Sequence, residues 1–334
     1  MYNEETKKKI TKYFMQRFDM KKANPGWLLG TCPSCGKKLK FGLNISQNRV
    51  NCFVCGTSNP LKIIMEVEGF SERREALSFI RAFENTEYLS FIEKDNHEKD
   101  VVDYKVGDCK LPDGYKSLIL GDNLVAQCAR NMLAKRGFNI NNLAMRGIGY
   151  VDKPKSRYFG YIIIPYYLNG NLIYFTSRKI FDIGPKFKNP TLEEANIGKT
   201  LLTYNADALA IYDTIHLVES ATNSLTLGPR AIGLGGKKIS PHQYSSILKS
   251  PVKNVNIFLD PDALMEALKL GLDLCHYKRV RVVLLPEEQD VNNIGKKASF
   301  ELMKNTPYQT YNELFKRKIN INNEKRAFDT HNEI

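Results

Sequence analysis

Two Cys-x-x-Cys pairs, Cys32-Pro-Ser-Cys35 and Cys52-Phe-Val-Cys55, with sixteen residues between them, constrain the amino-terminal part of this chain more than any other feature. Thiolates favour a tetrahedral ion, and two such knuckles supply four of them from two turns. The spacing predicts a zinc ribbon whose Zn²⁺ has no open coordination position and is therefore structural. Gly36 and Gly56 follow the second cysteine of each knuckle, where the backbone must turn sharply toward sulfur. Ile10, Tyr13, Phe14 and Phe18 recur at helical spacing over residues 5–20, while Lys40–Ile45 and Arg49–Phe53 alternate like paired strands. Helical patterns at 60–68 and 71–82 complete a unit assigned to residues 1–83.

The formal net charge of +13 on 334 residues makes a polyanion, and nucleic acid first, the leading partner. The excess is concentrated: residues 1–40 carry ten basic and three acidic side chains, whereas 84–103 reverse the balance and read as a linker. Lys37, Lys38, Lys40 and Arg49, with Phe41 and Phe53 between them, suit phosphate contact and base stacking on a single strand. A solvated charged face over two core phenylalanines accounts for the same residues. No apolar run is long enough for a membrane span and no secretory core follows the first charges, so the expectation is a cytoplasmic protein without membrane contact.

Residues 104–205 read as a basic α+β subdomain, with a helical pattern over 118–136 and two strands, Tyr161–Tyr167 and Leu172–Ser177, around the hairpin pair Asn169-Gly170. Beyond 205 strands and helices alternate: strands at Ile215–Val218, Ala231–Leu234, Val255–Leu259 and Val280–Leu285, and helices from Ser240 and over 262–276. That alternation predicts an α/β subdomain over 206–310 with a mainly parallel sheet, followed by a loosely held tail over 311–334. Carboxylates stand where these strands end: Glu219 after His216-Leu217-Val218, Asp260 and Asp262 after Leu259, Asp290 beyond Leu285-Pro286. Strand ends at the carboxyl edge of a parallel sheet are where α/β folds bind ligands, and hard oxygen ligands from separate strands suit Mg²⁺ or Mn²⁺.

Leu217-Val218-Glu219, Leu259-Asp260-Pro261-Asp262 and Leu285-Pro286 through Asp290 resemble the Toprim domain shared by DnaG-type primases, topoisomerases and some nucleases. Ser156–Lys179, followed by Gly184-Pro185-Lys186-Phe187-Lys188-Asn189-Pro190 and Gly198-Lys199, is similar to the basic subdomain that precedes Toprim in the primase polymerase core. With the ribbon, the resemblance to DnaG-type DNA primases covers about residues 25–310. It implies primer synthesis: nucleotidyl transfer from NTPs on a single-stranded DNA template, with a replicative helicase as partner. Glu219 is then the general base or a metal ligand, and Asp260, Asp262 and Asp290 bind the catalytic Mg²⁺ or Mn²⁺. Arg157, Arg178, Lys186 and Lys199 fall on basic positions that hold template or nucleotide phosphates.

The family's glycine after the Toprim glutamate is Ser220 here, a following aspartate is Asn223, and the acidic residues after Asp290 are Asn292 and Asn293. No G-x-x-x-x-G-K-[ST] loop marks a fused helicase motor, and the little chain after 310 fits a stand-alone, phage-like primase. A Toprim nuclease and a non-catalytic single-strand-binding module remain the alternative readings.

Overall fold

The computed structural model describes residues 2–23, 26–83, 109–195 and 197–331. The expected linker at 84–103 lies outside the described residues. The chain divides into two compact units, residues 1–199 with 205–211, and residues 200–204 with 212–334.

The first unit opens with helix α1 (Glu4–Arg17), whose amino end is capped where Thr6 N donates to Asn3 Oδ1 at 2.8 Å. Its apolar face, Ile10, Tyr13 and Phe14, is fully buried. Five short antiparallel strands follow in sequence order: β1 (Lys21–Lys22), β2 (Leu28–Gly30), β3 (Phe41–Asn44), β4 (Arg49–Cys52) and β5 (Gly56–Ser58). Helices α2 (Pro60–Glu68) and α3 (Arg73–Ala82) pack beside α1, and edge-to-face contacts join Tyr13 to Phe79 and Phe83. Phe41 lies in this aromatic core, 2% exposed against Phe14 and Phe18, whereas Phe53 is 72% exposed. Of the two phenylalanines expected between the ribbon lysines, Phe53 alone presents its ring to solvent; cross-strand pairing with Cys52 turns Phe41 inward.

The same unit holds a second antiparallel sheet, in the order β10-β9-β8-β7-β6, built from β6 (Tyr115–Ser117), β7 (Gly149–Val151), β8 (Tyr161–Leu168), β9 (Asn171–Lys179) and β10 (Phe187–Lys188). The β8–β9 turn places Asn169 at φ 48° and Gly170 at φ 79°, the left-handed pair a tight hairpin requires. Helices α4 (Leu124–Lys135), α5 (Ile140–Met145), α6 (Leu192–Ala195) and α7 (Ala208–Ile211) complete the unit. The helix expected over 118–136 starts only at Leu124, because the Asn123 side chain accepts from Ala126 N at 2.9 Å and sets the cap there.

A buried polar cluster ties α1 to α2 and to β8. Arg17, its side chain 5% exposed, lies 3.5 Å from Glu68 Oε1 and stacks 3.7 Å from the Tyr167 ring centroid. Tyr13 Oη donates to the same Glu68 carboxylate at 2.5 Å. Asp207, partly buried nearby, accepts from Asn169 N at 3.2 Å; burial first and the Glu68 charge second push its carboxyl up to about 7. A cation out of water is tolerated only while so paired.

In the second unit, four parallel strands run in the order β12-β11-β13-β14: β11 (Thr214–Val218), β12 (Ala231–Gly233), β13 (Asn254–Phe258) and β14 (Arg279–Val282). Helices α8 (Ala221–Leu227), α9 (Pro241–Lys249), α10 (Leu264–Leu274) and α11 (Val291–Asn305) connect and follow them. Ser240 and Gln243 form the capping box that starts α9. The expected loose tail is instead helix α12 (Tyr311–His331), seated by the fully buried Leu314 and by Arg317 Nη1 donating to Val282 O at 3.3 Å. Its weak periodicity hid it, since one apolar anchor per several turns leaves little pattern to read.

Replacing Arg17 by alanine strands the Glu68 carboxylate and removes the Tyr167 contact, so urea denaturation should show a loss of about 3–5 kcal/mol.

Candidate functional site

The four ribbon sulfurs form one cluster, all within 4.8 Å of one another. Cys32 Sγ and Cys55 Sγ are 3.8 Å apart, and Cys35 Sγ and Cys52 Sγ 3.7 Å. A tetrahedron with Zn–S bonds of about 2.3 Å has edges of about 3.8 Å, so the donor set and its spacing fit zinc. Beside it Lys37, Lys38, Lys40 and Arg49 are exposed, with Lys40 Nζ 5.9 Å from the Phe53 ring centroid. Val54 and Leu39 are exposed as well, so the knuckles present apolar as well as cationic side chains to solvent.

On the hairpin sheet, Arg178 lies 5.3 Å and Lys186 5.7 Å from the Phe187 ring centroid, at the edge where β10 pairs with β9 through Phe187 and Arg178. Lys188, which sequence reasoning did not single out, lies 4.5 Å from the Tyr161 ring centroid and donates to Arg157 O at 2.6 Å. Arg157 is a clamp within the fold: its guanidinium donates to Glu194 Oε2 at 2.7 Å and to Asn189 O at 3.2 Å. Lys199 is exposed on a short 3₁₀ turn.

In the second unit the carboxylates are set by the sheet. Val218, Phe258 and Val291 sit in one buried cluster with Leu227, Ala231, Val283 and Leu285, which anchors the residue before Glu219, the residue after Asp290 and, two positions before Asp260, Phe258. Glu219 follows β11, Asp260 and Asp262 flank the turn after β13, and Asp290 caps α11 by accepting from Asn293 N at 2.8 Å. Gly233 is required here by close approach: a Cβ would meet Ser220 C at 2.9 Å.

Glu219 and Asp260 follow adjacent paired strands, close enough to act on each other's ionisation. Burial first, and the Asp260 charge second, push the Glu219 carboxyl up to about 7. Asp260 is likewise raised, by burial and then by the charge of Asp290. Glu219 Oε2 and Asp260 Oδ1 are buried without a hydrogen-bond partner. Crowded, under-satisfied carboxylate oxygens are a donor set for a hard divalent cation, so these residues fit Mg²⁺ or Mn²⁺. The carboxylates are more widely spread than the sulfurs: among the described residues the cysteines are the group of three or more potential ligands within 4.8 Å of one another. Lys237, also missed by sequence reasoning, forms an ion pair with Asp262. The signal was available in Gly235-Gly236-Lys237-Lys238 following the strand next to β11.

The departures from the Toprim pattern have structural uses. Ser220 caps α8 by accepting from Asn223 N at 3.2 Å, and Asn292 Nδ2 donates to Thr226 Oγ1 at 2.8 Å, joining α11 to α8. Asn223 is 2% exposed, with Oδ1 unpartnered. His216 is a neutral core imidazole: burial first, then Arg230, Arg281 and Lys296, lower it to about 3, and Asn256 lies 3.0 Å from its Nδ1.

The zinc-binding and RNA polymerase domains of the Aquifex aeolicus primase superpose on 92% of this chain and 87% of that one, with TM-score 0.52 and 17% identity. The chain has the DnaG primase fold. A DnaG catalytic core matches over 68% of this chain and 82% of its own (TM-score 0.50, 18% identity), and a DnaG catalytic domain bound to single-stranded DNA over 74% and 84% (TM-score 0.50, 17% identity). No protein-family model and no curated protein matches the sequence. Among the described residues no helix is long and apolar enough to cross a membrane.

Two outcomes follow from the site chemistry. Purified protein should carry one zinc per chain by elemental analysis, and chelation should lower its melting temperature while Cys52→Ser abolishes retention. A carboxyl raised from 4.5 to about 7 stabilises the folded, metal-free chain most below pH 4.5, and that contribution is lost as pH rises through 7. Melting temperatures of the wild type should therefore fall across that window more steeply than those of Glu219→Gln, in metal-free buffer.

Proposed function

We propose that this protein is a DNA primase, making short RNA primers on single-stranded DNA by nucleotidyl transfer from NTPs. One observation carries the reading: Glu219 and Asp260 stand just beyond the carboxyl ends of the adjacent parallel strands β11 and β13, each with a buried, unpartnered carboxylate oxygen, and the charge of Asp290, the cap of α11, acts on Asp260. The exposed cations and aromatic tip of the ribbon, and the arginine-lysine-phenylalanine edge of β9–β10, support a single-stranded template as partner.

In the reaction the 3'-hydroxyl oxygen of one nucleotide bonds to the α-phosphorus of the next, the bond from that phosphorus to the β-phosphate oxygen breaks, and pyrophosphate leaves. Divalent ions at the centre would stabilise the charge on attacking and leaving oxygens. Glu219, poised near neutrality, takes the hydroxyl proton. Asp260, Asp262 and Asp290 are the residues that would hold the cations, and Arg178, Lys186 and Lys199 would neutralise template or triphosphate phosphates. Arg157 acts by holding the β10 segment in place through Asn189 and Glu194. A replicative helicase, which exposes single-stranded template, is the partner that fits such an activity, and a phage-like enzyme working in a host cytoplasm is the setting.

With single-stranded template, NTPs and Mg²⁺ or Mn²⁺, the protein should yield short RNA on a denaturing gel, and Glu219→Gln or Asp260→Asn should reduce the yield by about 10²-fold or more. Template cleavage without NTPs would instead identify a nuclease, and tight binding without chemistry an inert module. Arg178→Ala and Lys186→Ala should each lower the salt dependence of template binding by about one counterion.

A further inference from the structure

The acidic centre is divided unequally, and the division is made by a lysine. The loop after β12 is tied to the strand that bears Glu219: Leu234 N donates to Val218 O at 2.9 Å and Gly235 N to Glu219 O at 2.8 Å. Gly235 then turns through φ 76°, a conformation open to glycine at little cost, and the chain doubles back to present Lys237 at the same sheet edge. Lys237 Nζ pairs with Asp262 Oδ2, and its charge also acts on Glu219 and Asp260. Lys238 is drawn aside, 3.4 Å from Glu266. One half of the centre, Asp262, thus already has a cation from the chain. In the other half, Glu219 Oε2 and Asp260 Oδ1 are buried without a hydrogen-bond partner, and Lys237 acts on them only through its charge.

We infer that Lys237 is the second cation of this site, so that the centre takes one divalent ion, on the Glu219, Asp260 and Asp290 side, where two-ion phosphoryl-transfer sites take a pair. The inference rests on the proposed function and specifies its cation set. An ammonium on a flexible four-carbon stem is a compact point charge that can exchange a carboxylate for a phosphate oxygen without leaving the site. Lys237 is half exposed on a loop. It therefore moves from Asp262 to the triphosphate when nucleotide arrives, and positions the nucleotide while Glu219 takes the hydroxyl proton. No bond to Lys237 forms or breaks, and the lysine stays protonated throughout.

Manganese binding to the zinc-loaded full chain, followed by electron paramagnetic resonance without nucleotide, separates one ion from two. Sites surviving in the double variant Glu219→Gln, Asp260→Asn are subtracted as background. The wild type should bind one Mn²⁺ at the centre. Lys237→Met should bind a second and show the coupled signal of a close pair, whereas Lys237→Arg should stay at one. In priming assays at saturating Mn²⁺, Lys237→Met should raise the KM for NTP about tenfold, with a smaller change in kcat. Two coupled ions in the wild type, or a Lys237→Met protein that still binds one ion with unchanged KM, overturns the inference while priming activity keeps the proposed function standing. No manganese at the wild-type centre together with no primer overturns both.

Discussion

Repulsion between carboxylates that the fold holds together is the constraint from which the rest of this structure takes its meaning. Glu219 and Asp260 end adjacent parallel strands, β11 and β13, in register from Thr214 opposite Asn254 to Val218 opposite Phe258. Side chains just beyond paired strand ends cannot move apart without breaking that ladder. The buried cluster of Val218, Phe258, Val283, Leu285 and Val291 makes such a rearrangement costly, because burial of a large aliphatic or aromatic side chain is worth about 1.5–3 kcal/mol. Burial first and the Asp260 charge second raise Glu219 to about 7, and protons or cations relieve both. The metal and phosphate binding proposed for this site would relieve the same crowding.

Elsewhere the chain carries features that the proposed function would use. The ribbon and hairpin sheet present cations beside aromatic rings, Lys40 with Phe53 and Arg178 with Phe187, a pairing suited to phosphate and base together. Within the first unit the Arg17, Glu68 and Tyr167 cluster fastens the helix preceding the ribbon to the long hairpin. The asparagines that replace acidic residues are partly absorbed by packing, as Asn292 shows in bridging α11 to α8.

Features carried by local chemistry were legible in the sequence. The cysteine knuckles, the Asn169-Gly170 turn, the Ser240 capping box and the alternation of apolar strands with helices each depend on residues a few positions apart. Features that depend on pairing between distant segments were not. Phe41 and Phe53 look alike in sequence, and only the register of β3 on β4 buries one and exposes the other. Arg157 reads as a free basic residue until Glu194 is seen beside it. Lys237 belongs to the acidic centre because β12 lies next to β11, a strand order that no periodicity encodes. The carboxyl-terminal helix escaped because Leu314 anchors it almost alone among the described residues of its first turns.

Anomalous diffraction from crystals soaked in Mn²⁺ tests the central claim most directly. The account predicts a manganese peak within bonding distance of Glu219 or Asp260 at the carboxyl edge of the parallel sheet, with Asp290 on the same ion or its water shell. A fully occupied manganese site elsewhere, with Glu219 and Asp260 still facing each other and metal-free, would contradict it.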